Sequence, residues 1–379
     1  MKITNVASYA LEQKLEKKDQ FAFSQAWCDK RTVFICKIET DEGITGWGEA
    51  FGPSLIHKTI VDKFYRDYLI GKNPFDSQVI WETLHNKFRD NGQKGVTVQA
   101  LSAVDIALWD IKGKAADVPV YQLMGGRFRD RLKAYATGMY RKYTPNEIEE
   151  TAAEAASYVE RGFRAVKVKT GFGFDYDYAV IKAVREAIGD DINMMIDANH
   201  GYNASTAIKI GRAVEKFDIT WYEEPVPPED LEGYKEVKAS LNIPIAGGEA
   251  EFTRWGLNDF IRYRCADYVQ ADCTITGGLS EFMRVGLLCS IANIQCMPHI
   301  WGSSIALATG INAAFSVPDF PPGLEPADVY LEYDQTENIF REELASPKPI
   351  VKDGWLYPSE KPGLGIEVNE DLIKHYAVE

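Results

Sequence analysis

Asp197, Glu223 and Glu249 recur at intervals of 26 residues, each at the end of a short apolar run. Carboxylates that converge without a counter-charge repel one another strongly where water is excluded, so a regular triplet of this kind asks for a cation. An all-oxygen donor set suits a hard divalent ion, and Mg²⁺ keeps coordination positions open for water and substrate oxygens. Glu224 competes with Glu223 for the same role, since adjacent strand residues face opposite ways. Glu223 is preferred, and Glu224 is expected to pack against a neighbouring basic group.

Lys167 and Lys169 flank Val168, so on a strand both ammonium groups face one side. Two adjacent cations are expected to lower each other's pKa, which lets one act as a base near neutral pH while the other balances substrate charge. Asp272 and His299 each fall at the end of a later apolar run and are expected to form a dyad. The carboxylate would fix the tautomer and raise the basicity of the imidazole. His200, beside Asn199, reads as a pocket wall; His57, His85 and His375 are given no role.

A cation, a lysine pair and a His–Asp dyad suit removal of a proton from the carbon next to a carboxylate. The developing enediolate charge is then met by positive charge aimed at the transition state.

These groups need a scaffold that brings many strand ends together. Short apolar strands are expected at Leu132–Thr137, Ala165–Val168, Met194–Ile196, Thr220–Tyr222, Ile243–Ala246, Tyr268–Gln270, Ile294–Met297 and Val329–Leu331. Amphipathic helices such as Glu147–Arg161 and Tyr178–Ile188 lie between most of them. That alternation predicts a parallel (β/α)8 TIM barrel of the α/β class, whose chemistry sits at the carboxyl ends of the strands. Upstream, Thr32–Glu39, the turn Asp41–Gly43 and Thr45–Glu49 predict a hairpin, followed by helices including Gln99–Lys114. The expected organisation is an α+β module over 1–125, the barrel over 126–340, and a proline-rich segment over 341–379 that returns to the first module.

At 379 residues, with 45% hydrophobic and 26% charged residues, the chain can bury a large core. The net charge of −14 argues against nucleic acid or an anionic membrane as partners. Neither a transmembrane run nor a secretory leader is visible, and the chain reads as cytoplasmic. The six cysteines show no paired spacing and read as buried free thiols. No dinucleotide, P-loop or nucleophile-elbow signature occurs.

At the residues named above, the sequence resembles the enolase superfamily, in its mandelate racemase/muconate lactonizing subgroup, over essentially its full length. The resemblance implies a modified barrel capped by an α+β domain built from the N-terminal region and the C-terminal segment. It implies Asp197, Glu223 and Glu249 as Mg²⁺ ligands, with Lys169 and His299 as the two acid/base groups. Glu332 matches a strand-eight glutamate that in racemases of the group donates a hydrogen bond to the substrate carboxylate; Glu325 lies in a proline-rich loop and is the weaker candidate.

Within the subgroup the chain is most similar to aldarolactone cycloisomerases, the type acting on D-galactaro-1,4-lactone. The matching stretches are 89–95, 135–138, 197–202, 298–302 and 332–341. These loops surround the pocket and imply Asn199, His200 and Trp301 as substrate-binding residues. The sequence departs from the family pattern at Cys273–Thr276, and at 20–30 and 51–58, where the family forms its substrate-choosing lid.

The expected partner is a small sugar acid or lactone, and the expected assembly a homo-oligomer. Abstraction next to the carboxylate of a lactone would expel the ring oxygen and give a 2-keto-3-deoxy acid. An open-chain aldarate or aldonate would instead lose water as in a dehydratase, and racemisation is a third outcome. A Mg²⁺-dependent hydrolase would have no use for the lysine pair, and a non-catalytic sugar-acid binder would have no use for the whole titratable set.

Overall fold

The computed structural model describes all residues 1–379. In the cap, Ile3–Lys14 runs antiparallel to Lys30–Thr40, which turns into Thr45–Ala50 as the alternating pattern required. The 20-residue helix Val96–Ala115 lies on this sheet, burying Leu101, Val104, Leu108 and Ile111 at helical spacing. Gly46 and Gly48 allow the contact, because a side chain at either would overlap the helix carbonyls of Ala107 or Ala103. Near the end of the chain, Ala377–Val378 adds an edge strand beside Ile3–Lys14.

The barrel has the eight expected strands: Leu132–Gly138, Ala165–Lys169, Asn193–Asp197, Ile219–Glu223, Ile245–Gly247, Tyr268–Ala271, Gln295–Pro298 and Tyr330–Asp334, called one to eight below. All neighbouring pairs from one through seven are parallel, and strand eight pairs in parallel with strand one. Strands seven and eight share no hydrogen-bonded ladder, which leaves a seam. Helices of ten or more residues follow strands one to seven, whereas strand eight is followed only by Ile339–Glu343. The barrel is therefore modified, and Val351–Lys352 with Trp355–Leu356 forms a hairpin that adds antiparallel to strand one.

Period-two alternation sorts each strand into an outer face against the helices and an inner face. Val166, Val168, Ile196 and Tyr222 join the helix-facing core, whereas Tyr135, Ala165, Met195, Trp221, Met297 and Tyr330 fill the interior. The Trp221 ring packs 5.5 Å from Tyr135 and 5.2 Å from Tyr330, closing the lower barrel with aromatic surface. Two residues further along these strands, on the same inner face, stand Thr137, Lys167, Asp197, Glu223, His299 and Glu332. An apolar plug thus lies beneath a polar layer.

Five cysteines are buried free thiols as expected, and Cys28 is half-buried. No helix is long and apolar enough to cross a membrane.

Candidate active site

The polar layer is buried. Lys167, fully buried, donates to Glu223 Oε1 and lies 2.8 Å from Glu332 Oε1 and 3.7 Å from Asp197 Oδ2. Lys169 donates to Asp197 Oδ2 and, at 3.1 Å, to Asn199 Oδ1. Glu223 Oε2 accepts from Trp221 Nε1 and Gln270 Nε2, both at 2.8 Å. On the far side of the barrel, Asp272 Oδ2 meets His299 Nδ1 at 2.7 Å, and Asp272 Oδ1 accepts from the amide and hydroxyl of Thr274. Both Asp272 oxygens are thereby fixed, and His299 Nε2 is aimed inward, 3.4 Å from Glu249 Oε2.

Glu332 bridges the seam. Its Oε1 accepts from Thr137 Oγ1 and its Oε2 from the Ile300 amide at 3.1 Å. Although burial works against the charged form, Lys167 and His299 hold this carboxyl down at about 2. Thr137, the Ile300 amide and Lys167 all present donors to it.

The lysines carry the opposite sign of shift from that expected from their mutual repulsion. Burial lowers both, but Glu223 and Glu332 raise Lys167, and Asp197 raises Lys169, with a net rise in each case. The carboxylates outweigh the neighbouring ammonium, a balance that only the folded arrangement sets. His299 behaves alike: burial opposes its charge, yet Glu249, Glu332 and Asp272 push it up to about 10. Burial raises Glu249 to about 7, with Asp197 and Glu223 adding to the rise against the pull of His299.

Strand alternation breaks where two of the acids sit. Gly248, at φ +110°, turns the chain so that Glu249 faces the mouth, and Glu224 itself adopts φ +43°. Glu224 is buried with Oε2 3.2 Å from His200 Nε2, the basic neighbour expected for it. Burial, followed by Glu249, Asp197 and Glu223, raises its pKa.

The cavity above this layer is small, about 90 Å³. Lys169, Asn199, Glu249 and His299 supply its polar lining; Phe23, Phe51, Tyr140 and Trp301 supply aromatic walls. Strands two and seven stand three places apart around the ring, so Lys169 and His299 approach the cavity from different sides. Lys167, Asp197, Glu223, Asp272 and Glu332 lie beneath or behind it. His200 does not reach the cavity, being turned towards Glu224.

Phe23 and Phe51, which the strand-end rule missed, come from the two segments that depart from the family pattern. Tyr140 follows strand one directly, where that rule could have found it. Arg31 was missed altogether; its guanidinium lies between the rings of Phe21 and Trp301, 4.6 and 4.8 Å from their centroids.

Two family models match the chain. The model described as Enolase C-terminal domain-like matches residues 150–372, and the Mandelate racemase / muconate lactonizing enzyme, N-terminal domain model matches residues 8–125. The chain belongs to the enolase superfamily. A D-galactarolactone cycloisomerase of Agrobacterium fabrum is 38% identical over 376 residues, covering 99% of both chains. An arabinonate dehydratase of Saccharolobus solfataricus is 30% identical, again over 99% of each. The crystal structure of a 3,6-anhydro-D-galactonate cycloisomerase from Zobellia galactanivorans superposes with a TM-score of 0.91 at 36% identity, over the whole of both chains. This enolase-superfamily member is an enzyme of the lyase/isomerase type.

Members of the superfamily generally use Mg²⁺. The donors in this chain fit such an ion in charge and hardness. Six carboxylates (Asp197, Glu223, Glu224, Glu249, Asp272 and Glu332) cluster with Lys167, Lys169 and His299, and Glu224 Oε2 and Glu249 Oε2 are buried and make no well-aligned hydrogen bond to the imidazoles beside them. A divalent cation would offset that excess. As the side chains stand, no three acidic or imidazole groups converge into a coordination shell, because the lysines occupy Asp197 and Glu223.

Proposed function

We propose that this enzyme removes the proton α to the carboxylate of a sugar-acid lactone of the D-galactaro-1,4-lactone type and opens the ring by β-elimination. The observation that carries this reading is the placement of Lys169 and His299 in one small cavity, with Glu249 beside His299. A divalent cation held by Asp197, Glu223 and Glu249, Mg²⁺ by its donor set, would supply positive charge beside the substrate carboxylate and offset the acids that keep Lys169 and His299 protonated.

In its neutral form, one of these two groups takes the α-proton, and the electron pair moves into the carboxylate as an enediolate. That pair then forms the C–C double bond as the bond from the β-carbon to the ring oxygen breaks. The ring oxygen departs as a carboxylate and needs no proton. The protonated partner delivers its proton to the β-carbon of the enol, whose hydroxyl proton is released to solvent, to give the 2-keto-3-deoxy acid. Asp272 holds the imidazole by its Nδ1 throughout. Asn199, which also binds Lys169, and the indole face of Trp301 are placed to orient the substrate. The four aromatic walls support a cyclic substrate, whose C–H faces pack on rings and need few donors.

The same site run on an open-chain acid would expel hydroxide as water, and the likeness to an arabinonate dehydratase supports that second reading. Proton NMR in D₂O with Mg²⁺ separates them, offering D-galactaro-1,4-lactone beside galactarate, glucarate and several aldonates. A deuterated 2-keto-3-deoxy acid formed from the lactone is the expected result. Turnover of an open-chain acid alone would replace cycloisomerisation with dehydration, and no exchange on any acid sugar would overturn both readings.

A further inference from the structure

Glu49 ends the cap hairpin and has no part in the chemistry above, yet it is 1% exposed and meets the barrel. Its Oε1 accepts from the Ser303 amide at 2.9 Å, and its Oε2 from the Ala306 amide at 2.8 Å and from the Ser303 hydroxyl. These donors open the 13-residue helix Ser304–Ser316, where first-turn amides have no partner within the helix. Ser303 Oγ takes the Ile305 amide at 3.0 Å, so the cap carboxylate and the local N-cap share the task.

That helix starts five residues after His299 and three after Trp301. The stretch between has no strand ladder to hold it, because it follows the unpaired edge of strand seven. It is fixed instead by Glu332 at the Ile300 amide, by Asn338 Nδ2 at the Gly302 carbonyl (3.0 Å), and by Glu49. A side chain at Gly302 would overlap the Glu49 carboxylate, so the loop and the acid are shaped to each other. The hairpin is itself anchored, since the Trp47 amide donates to Asp110 Oδ2 of the long cap helix at 3.0 Å.

We propose that Glu49 is a positioning residue: from the cap it holds the 299–303 loop so that the His299 imidazole and the Trp301 ring face Lys169 across the cavity. The proposal rests on the reading of His299 as an acid/base group. It makes the cap part of the catalytic geometry, beyond its service as a cover over the barrel.

The test uses the full chain with Mg²⁺ and the variants Glu49→Gln and Glu49→Ala. Displacement of a reacting group by about 1 Å costs on the order of 100-fold. Glu49→Ala is therefore expected to lose about 100-fold in kcat on the lactone with KM within about threefold, and Glu49→Gln, which keeps one acceptor oxygen, to recover at least about tenfold of it.

Two readouts do not need turnover. Amide exchange at Ser303 and Ala306 should accelerate in Glu49→Ala, and the downfield Nδ1 proton of His299, assigned by its loss in His299→Asn, should broaden or shift. Faster exchange with an unchanged His299 resonance and unchanged kcat would reduce Glu49 to a helix cap and overturn the proposal. Should Glu49→Ala not fold, a Glu49→Gln protein with wild-type kcat and a wild-type His299 resonance would overturn it equally. A wild type inert towards every acid sugar, with both spectroscopic responses present, would sink the functional reading and leave the positioning role standing.

Discussion

The two sides of the barrel mouth are built by different means. Around strands two to four the ladders are continuous, and the functional groups are locked by ion pairs within the sheet: Lys167 to Glu223, Lys169 to Asp197. Between strands seven and eight there is no ladder, and side chains do the joining. Glu332 crosses the seam, Glu49 reaches in from the cap, and Arg31 lies between Phe21 and Trp301 while its Nε donates to the Glu337 carbonyl at 3.0 Å. One side is positioned by its own fold and by charge. The other depends on residues distant in sequence.

If the difference is real, substitutions on the two sides should fail in different ways. The largest effect on turnover is expected from Lys169→Ala and His299→Ala, each losing about 10³-fold or more in kcat, within the usual range for a general acid or base. Circular dichroism should show both proteins folded; near-wild-type turnover from both would dissolve the two-sided scheme.

Lys167→Ala strikes the charge-locked side instead. It strands Glu223 and Glu332 in a buried site, which costs about 3–5 kcal/mol. Urea unfolding in the presence of chelator should show the loss, and added Mg²⁺ should recover part of it. An unchanged midpoint would mean the ion pairs are not what holds that side.

The smallest effect concerns pH and the cap joint. Asp105 of the cap helix accepts from the Ser280 amide and hydroxyl at 2.9 and 2.6 Å. Burial raises its pKa from 3.8 to about 6. Between those values the folded state holds more protons than the unfolded one, so this group's contribution to stability falls as pH rises. Relative to Asp105→Asn, wild-type stability should decline from pH 4 to 6 and run parallel outside that window; parallel curves throughout would refute the assignment.

Much of this site was legible because a βα unit repeats both length and polarity. Most strands are short, largely apolar runs with a charged or titratable residue at or just after the end, which is how Lys169, Asp197, Glu223, Asp272, His299 and Glu332 stood out. Glu249 stood out by its 26-residue interval from Glu223, whereas Glu224 was set aside as packing on a basic group. Both depend on backbone turns with positive φ that defeat simple alternation. The sign of the lysine shifts was misread because spacing shows that two cations are neighbours and hides the acids facing them from other strands. Glu49 and Arg31 gave no local signal, since the side-chain hydrogen-bond partners of both lie more than 250 residues away. Phe23 and Phe51 were flagged only as differences from a family pattern, without their side chains' destination.

Glu332 joins two properties that selection usually tunes apart. The carboxylate that completes the cylinder between strands seven and eight is also within 3.7 Å of the imidazole Nε2 that faces the cavity. Replacing it with a well-packed apolar residue to firm the seam would alter the field at that imidazole. Altering it to retune the chemistry would loosen the closure. At this position robustness and reactivity are inherited together, so diversification of the enzyme has more freedom in the aromatic walls at Phe23 and Phe51 than in the barrel's last joint.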